Sequence, residues 1–155
     1  MFGMKLYHGT QIQNIKKLEP VSTRDNAITK PVICFTPNSC IALFYIWNRS
    51  YKWVTFSEKE NGKVVFTEHY KNMLFDFYNK VSGSIYKCDG DNPALTPSHM
   101  KGIYISETPI AIENEICCAA YVTGKDFSLM MKKICTNITA NVCHVWRGTC
   151  FKIRF

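Results

Sequence analysis

Apolar residues in this chain come in short bursts separated by polar turns, and few stretches carry helical spacing. Residues 4–8 read as a strand. Ile12, Ile15 and Leu18 share one face of a short predicted helix over 11–18. Residues 20–30 are polar and read as loop, and 32–35 form an apolar strand bounded by Pro31 and Pro37. Asn38 or Ser39 then caps a predicted helix running to Trp47, because either side chain can accept from free amides of the first turn. Two apolar stretches within 52–68 flank Asn61-Gly62, a dipeptide favoured in hairpin turns. Residues 69–78 look helical, 83–88 form a strand after Gly83, and 89–101 form a loop with Gly90, Pro93 and Pro97. A strand at 103–110 is expected to continue, alternating, through Ile116. Residues 127–134 have a short helix pattern, and the remainder holds one or two strands. Short strands with interspersed helices predict an α+β domain.

Length and composition narrow this picture. The 155 residues suit a single domain over 1–155, and 46% hydrophobic residues supply a core. Ten Phe, eight Tyr and three Trp offer large buried areas and flat stacking surfaces. No apolar run reaches the ~20 residues of a membrane span. The N-terminus lacks the layout of a secretory signal. The expectation is a soluble cytoplasmic protein with no membrane partner. Eight cysteines (Cys34, Cys40, Cys88, Cys117, Cys118, Cys135, Cys143 and Cys150) sit mostly among apolar residues, with no Cys-x-x-Cys pair. They read as reduced, buried thiols rather than disulfides or metal ligands. The net charge of +7 comes from 19 Lys and Arg against 12 Asp and Glu. It suits a polyanionic ligand such as a dinucleotide or nucleic acid, or an acidic protein, and equally a solvated basic surface.

Leu6-Tyr7-His8-Gly9-Thr10 is the most informative segment. A strand ends there on an imidazole, a residue without Cβ and a hydroxyl, groups that can grip a polar ligand by side chain and main chain. On its own it reads first as a strand followed by a Gly-Thr turn, with His8 a structural histidine. Three more segments follow in order: Ile33-Cys34-Phe35-Thr36 with the Ala42-Leu43-Phe44-Tyr45 helix, Gly83-Ser84-Ile85-Tyr86, and Tyr104-Ile105-Ser106-Glu107-Thr108-Pro109-Ile110. Together they resemble the ADP-ribosyltransferases, most closely the rifamycin enzymes and, at the motif level, the poly(ADP-ribose) polymerase branch. The resemblance covers roughly residues 5–116. It implies a split β-sandwich of two small, mostly antiparallel sheets with short flanking helices. It also implies a mono-ADP-ribosyltransferase that uses NAD as co-substrate and transfers ADP-ribose to a protein, nucleic acid or small molecule, with no metal.

The resemblance assigns roles. Cleaving the nicotinamide–ribose bond passes through an oxocarbenium-like state, which a carboxylate on the ribose stabilises. Glu107 holds the family's acid position, Glu115 is the fallback, and Asp89 and Asp91 occupy the loop some rifamycin-type enzymes use. His8 would bond a hydroxyl of the adenosine ribose, and Gly9 would offer main-chain groups to the nicotinamide amide. Thr10, Cys34 and Thr36 would line the pocket, with Phe44 or Tyr45 stacking. Cys34 stands where the family has tyrosine, and a thiol cannot stack on a ring as a phenol does. That departure supports a rival reading, a catalytically inactive module that binds NAD or ADP-ribose. A third is an RNA-processing or nucleic-acid-binding protein, because tRNA 2′-phosphotransferases share a related fold; their arginine and extra histidine motifs have no match here.

Overall fold

The computed structural model describes the backbone of residues 3–22, 30–46, 55–58, 64–68, 70, 73, 76, 81–119, 142–146 and 149–151, and side chains within 3–22, 30–46 and 81–116 and at 70, 73 and 76. The architecture is a small α+β fold of mostly antiparallel sheets with little helix among the described residues. Strands β1 (Lys5–Thr10), β6 (Ser82–Asp89) and β10 (Asn114–Ala119) form a three-stranded antiparallel sheet in the order β1-β6-β10. A second sheet joins β3 (Ile33–Phe35), β8 (Tyr104–Ser106) and β7 (Thr96–Pro97). Short strands β2 (Lys17–Leu18) and β9 (Ile110–Ala111) pair with each other. Strands β4 (Thr55–Glu58), β5 (Val64–Glu68), β11 (Val142–Trp146) and β12 (Thr149–Phe151) make a fourth sheet, in which β5 and β11 run parallel.

The core forms where these pieces face each other. Leu6, Leu18, Ile33, Phe35, Tyr86, Cys88 and Ile110 make one cluster of buried side chains drawn from five strands. Burying an aliphatic or aromatic side chain of this size contributes about 1.5–3 kcal/mol, so this seam holds the sheets together more firmly than their short pairings do. β1 also meets β3 at a single bridge, where the Tyr7 amide donates to the Thr36 carbonyl at 2.8 Å and the Thr36 amide to the Tyr7 carbonyl at 3.0 Å.

The helix α1 (Ser39–Phe44) covers the other face of the β1-β6-β10 sheet. Asn38 starts it as expected, its side-chain oxygen accepting from the Cys40 amide at 3.0 Å. A Cβ at Gly9 would collide with the Ala42 carbonyl, and one at Gly83 with Ile46 and the Thr10 carbonyl. Gly9 therefore lets the helix lie directly on β1, and Gly83 lets Ile46, just past the helix, pack on β6.

Two predicted elements need correction. Residues 11–16 are not helical: Asn14 adopts a left-handed φ of 59°, and the segment bonds outward to β6 and β10 instead of to itself. The strand expected to run through Ile116 is broken into β8, β9 and β10, which belong to three different sheets. The two apolar stretches flanking Asn61-Gly62 do pair, as β4 and β5, although the turn itself lies outside the described residues. Met73 and Asp76 are helical within the 69–78 segment. Trp47 and the helix expected at 127–134 lie outside the described residues. No helix among the described residues is long and apolar enough to cross a membrane. Cys40 and Cys88 are buried free thiols and Cys34 a half-buried one. Burial, with a smaller effect of the Glu113 charge, pushes the Cys88 thiol up to about 12, so it stays protonated and inert.

Candidate functional site

Sheet register brings together residues far apart in sequence. His8 on β1 and Glu115 on β10 both stand directly opposite Tyr86 on β6. Directly paired residues project to the same face, so His8, Tyr86 and Glu115 form a row across three strands. Neighbouring strands lie about 4.8 Å apart, which places the outer two backbones about 10 Å from each other. Thr10 and Ser84 form the start of the adjacent row on the same face.

Each member of the row is fixed by a distinct contact. His8 Nδ1 lies 2.8 Å from the Cys34 carbonyl oxygen. A carbonyl only accepts, so the shared proton sits on Nδ1 and Nε2 carries an acceptor lone pair. Burial lowers the His8 pKa below its ordinary value and the Cys34 contact offsets this in part, so the ring is neutral at neutral pH. Phe35 packs against it with ring centroids 5.9 Å apart. At the other end, Glu115 Oε1 accepts from the Ser84 hydroxyl at 2.6 Å, the Tyr86 hydroxyl at 2.9 Å and the Asn14 amide at 2.9 Å. Ser84 and Tyr86 are fully buried, while His8 and Glu115 are half-buried at the two ends. The Tyr86 hydroxyl also lies 3.0 Å from the Ile12 carbonyl and accepts from the Ile15 amide at 3.3 Å. Its single proton is thus shared between two acceptors. Burial raises its pKa, the Ile15 bond opposes this, and the Glu115 carboxylate raises it further.

The other expected residues fall elsewhere. Glu107 follows β8 on an exposed turn, more than half exposed, and its Oε2 lies 3.2 Å from Lys30 Nζ. Asp89 ends β6 opposite Lys5, on the alternate face from Tyr86, and its Oδ1 accepts from the Asp91 amide. Asp91 is exposed beside Gly3. The close approach that Gly9 permits is made by α1. Thr10 Oγ1 accepts from the Ile12 amide at 3.3 Å. Thr36 is buried, with its backbone on Tyr7 and its Oγ1 accepting from the Asn38 amide. Phe44 is 1% exposed, so no face of its ring is open for stacking. Tyr45 is half-buried, its pKa raised first by burial and then by the nearby Cys34 thiol. Strand alternation turns Cys34 away from the core that Ile33 and Phe35 enter. The imidazole of His8 and the pair Cys34–Tyr45 therefore occupy different sides of β3.

Sequence reasoning attached no role to Ser84, Tyr86 or Asn14. The first two sit in the Gly83-Ser84-Ile85-Tyr86 segment already singled out, where period-two alternation puts both hydroxyls on one face. Nothing local marks Asn14 as the donor to an acid a hundred residues away. Among the described residues no group of His, Cys, Asp and Glu has the makings of a metal site. Comparison with family models, with curated proteins and with solved structures finds no match to this chain.

Proposed function

We propose that this chain is a mono-ADP-ribosyltransferase of the split β-sandwich type, and that Glu115, not Glu107, is its acid. One observation carries the reading: His8, Tyr86 and Glu115 stand in register on one face of the β1-β6-β10 sheet. The facing of this sheet and the β3-β8-β7 sheet across one core supports the fold assignment. In this scheme His8 Nε2 accepts from a ribose hydroxyl of NAD, because Nδ1 is committed to Cys34. The Glu115 carboxylate bonds the nicotinamide ribose and offsets positive charge as the glycosidic bond lengthens; nicotinamide departs with the bonding pair, and a lone pair of the acceptor bonds the freed anomeric carbon as the acceptor's proton passes to solvent. Ser84 and Tyr86 hold the carboxylate in place.

The test is incubation with NAD labelled in the ADP-ribose part, following nicotinamide release and label transfer. Wild type is expected to turn over. Glu115→Gln is expected to lose about 100-fold or more, and Glu107→Ala to stay within about twofold, as befits a solvent-exposed pair. Equal turnover by wild type and Glu115→Gln overturns the assignment. A second reading, an inactive module that binds NAD or ADP-ribose, is favoured by a specific observation: three protein donors already converge on Glu115 Oε1. Calorimetric binding of either ligand without nicotinamide release selects it, and absence of both binding and turnover ends both readings.

A further inference from the structure

The segment that links β1 to β2 lies over the very groups the proposed chemistry needs. Residues 11–16 cross the His8–Tyr86–Glu115 face, with the Asn14 amide on Glu115, the Ile15 amide and Ile12 carbonyl on Tyr86, and Gln13 Nε2 donating to the Gly83 carbonyl at 3.1 Å. These four ties are hydrogen bonds; the segment contributes little apolar burial. Gln11, Ile12, Asn14 and Lys16 are exposed, Ile12 by 62%. Ile15 is its apolar anchor, half-buried against the core. The segment has distinct ends: the Thr10 hydroxyl turns the chain out of β1, and Leu18, 2% exposed, fixes it in β2. Asn14, between them, holds a left-handed backbone that asparagine tolerates better than most residues. The Asn14–Glu115 bond is exposed and the other three ties are part-buried; few buried apolar contacts and hydrogen bonds within reach of water are the marks of a segment that opens below the cost of global unfolding.

We propose that residues 11–16 are a strap that opens as a unit from an otherwise folded body, and that this opening uncovers the Glu115 carboxylate and Tyr86 phenol to ligand. The ligand part rests on the ADP-ribosyltransferase reading; the opening itself does not. In the closed form the Asn14 N–H occupies the carboxylate oxygen as a substrate hydroxyl would, so the strap and the nicotinamide ribose compete for one acceptor.

Native-state hydrogen exchange of the full chain, read by NMR, tests this. The Asn14 and Ile15 amides report the strap, and the Tyr7 and Thr36 amides, paired with each other's carbonyls, report the body. The strap amides are expected to exchange about tenfold or more faster than the body amides. Tyr86→Phe keeps the ring and removes two of the ties; it is expected to speed the strap amides a further five- to tenfold and to keep them about tenfold or more ahead of the body amides. Gln13→Ala, which removes the tie to the Gly83 carbonyl, is expected to act in the same direction more weakly. Strap and body amides exchanging in step, in wild type and both variants, overturn the proposal. With saturating NAD or ADP-ribose, binding is read at His8 and release at Asn14. Loss of Asn14 protection supports the proposal. Ligand bound at His8 with Asn14 still protected overturns competition for Glu115 and leaves the enzyme reading to the turnover assay. If neither ligand binds, the enzyme reading falls, and exchange in the free protein still decides whether the strap opens.

Discussion

Glu107 and Glu115 come from one short stretch of chain, and the sheets around them give them different surroundings. Glu107 follows β8 into solvent, where its partner is Lys30, itself mostly exposed. Glu115 enters β10 beside buried Tyr86 and Ser84, and its Oε1 collects three donors from two distant segments. A carboxylate in the first setting is surrounded by mobile water, which screens it and costs it little to lose. A carboxylate in the second is oriented before any ligand arrives, which is the condition for electrostatic stabilisation of a developing charge. Motif position favours Glu107; geometry favours Glu115.

The largest test of that contrast acts on the support beneath the row. Gly9 lets α1 rest on the back of β1, and Gly83 admits Ile46 just past the helix, while His8, Ser84 and Tyr86 occupy the front. Gly9→Ala puts a methyl into the Ala42 carbonyl, a backbone atom that cannot rotate away. Overpacking of this kind is expected to cost about 2–3 kcal/mol in denaturant unfolding. Wild-type stability in this variant means the helix does not lie on β1 as described.

A smaller loss is expected from Tyr86→Phe. The ring still fills the core, but the strap and Glu115 lose their shared hydroxyl. The strap is near water, which re-solvates part of what is exposed, so about 1–2 kcal/mol is expected. A double-mutant cycle with Glu115→Gln sharpens the point: coupling between the two sites, rather than additive losses, is what a shared network produces. Strict additivity would separate Tyr86 from Glu115 energetically.

The sequence showed part of this and concealed part. Strand β1, strand β3, the Asn38 cap and strand β6 were legible because their signals are local: apolar alternation, flanking prolines and a side chain two residues from the amide it caps. Residues 11–16 carry a helical signal that the backbone does not follow. Ile12, Ile15 and Leu18 do have helical spacing, but only Leu18 is fully buried, and Ile12 is exposed. What decides the backbone there is bonding to Tyr86 and Glu115, partners more than 70 residues away. The different surroundings of the two acids are hidden for a related reason. Parity along a continuous strand cannot rank Glu107 and Glu115; the breaks after β8 and β9, which leave Glu107 on a turn and put Glu115 in β10, are set by pairing with distant strands. The glycine of the His8-Gly9-Thr10 motif was legible as a close-approach position, but one sequence cannot say whether helix or ligand makes the approach.

His8 provides a test through pH. Burial lowers its pKa in the folded protein below the ordinary value of about 6.5. The unfolded chain then binds more protons between those two values, so stability rises with pH across that window. The contribution is fully present above about pH 6.5 and is lost as the pH falls toward the folded value. Unfolding measured from pH 7.5 to 5 is expected to show this slope, and His8→Gln is expected to flatten it. Ligand binding should hold across that window and weaken only as the pH falls through the lower, folded value, because protonation there converts Nε2 from acceptor to donor. An unchanged slope in His8→Gln would assign the pH dependence to other groups and leave His8 solvated.

The smallest expected effect concerns the other acid. Lys30 and Glu107 are 70% and 57% exposed along their side chains, and their contact of 3.2 Å is a surface ion pair. Such pairs contribute about 0–1 kcal/mol and fade with salt. Glu107→Ala and Lys30→Ala are therefore each expected to unfold within about 0.5 kcal/mol of wild type, with any difference gone at high salt. A larger, salt-resistant loss at Glu107 would mean that its carboxylate is held by more than Lys30, and the two acids would then have to be compared again on equal terms. A null result here, beside a measurable loss at Glu115, separates a solvated charge from a preorganised one on the same short stretch of chain.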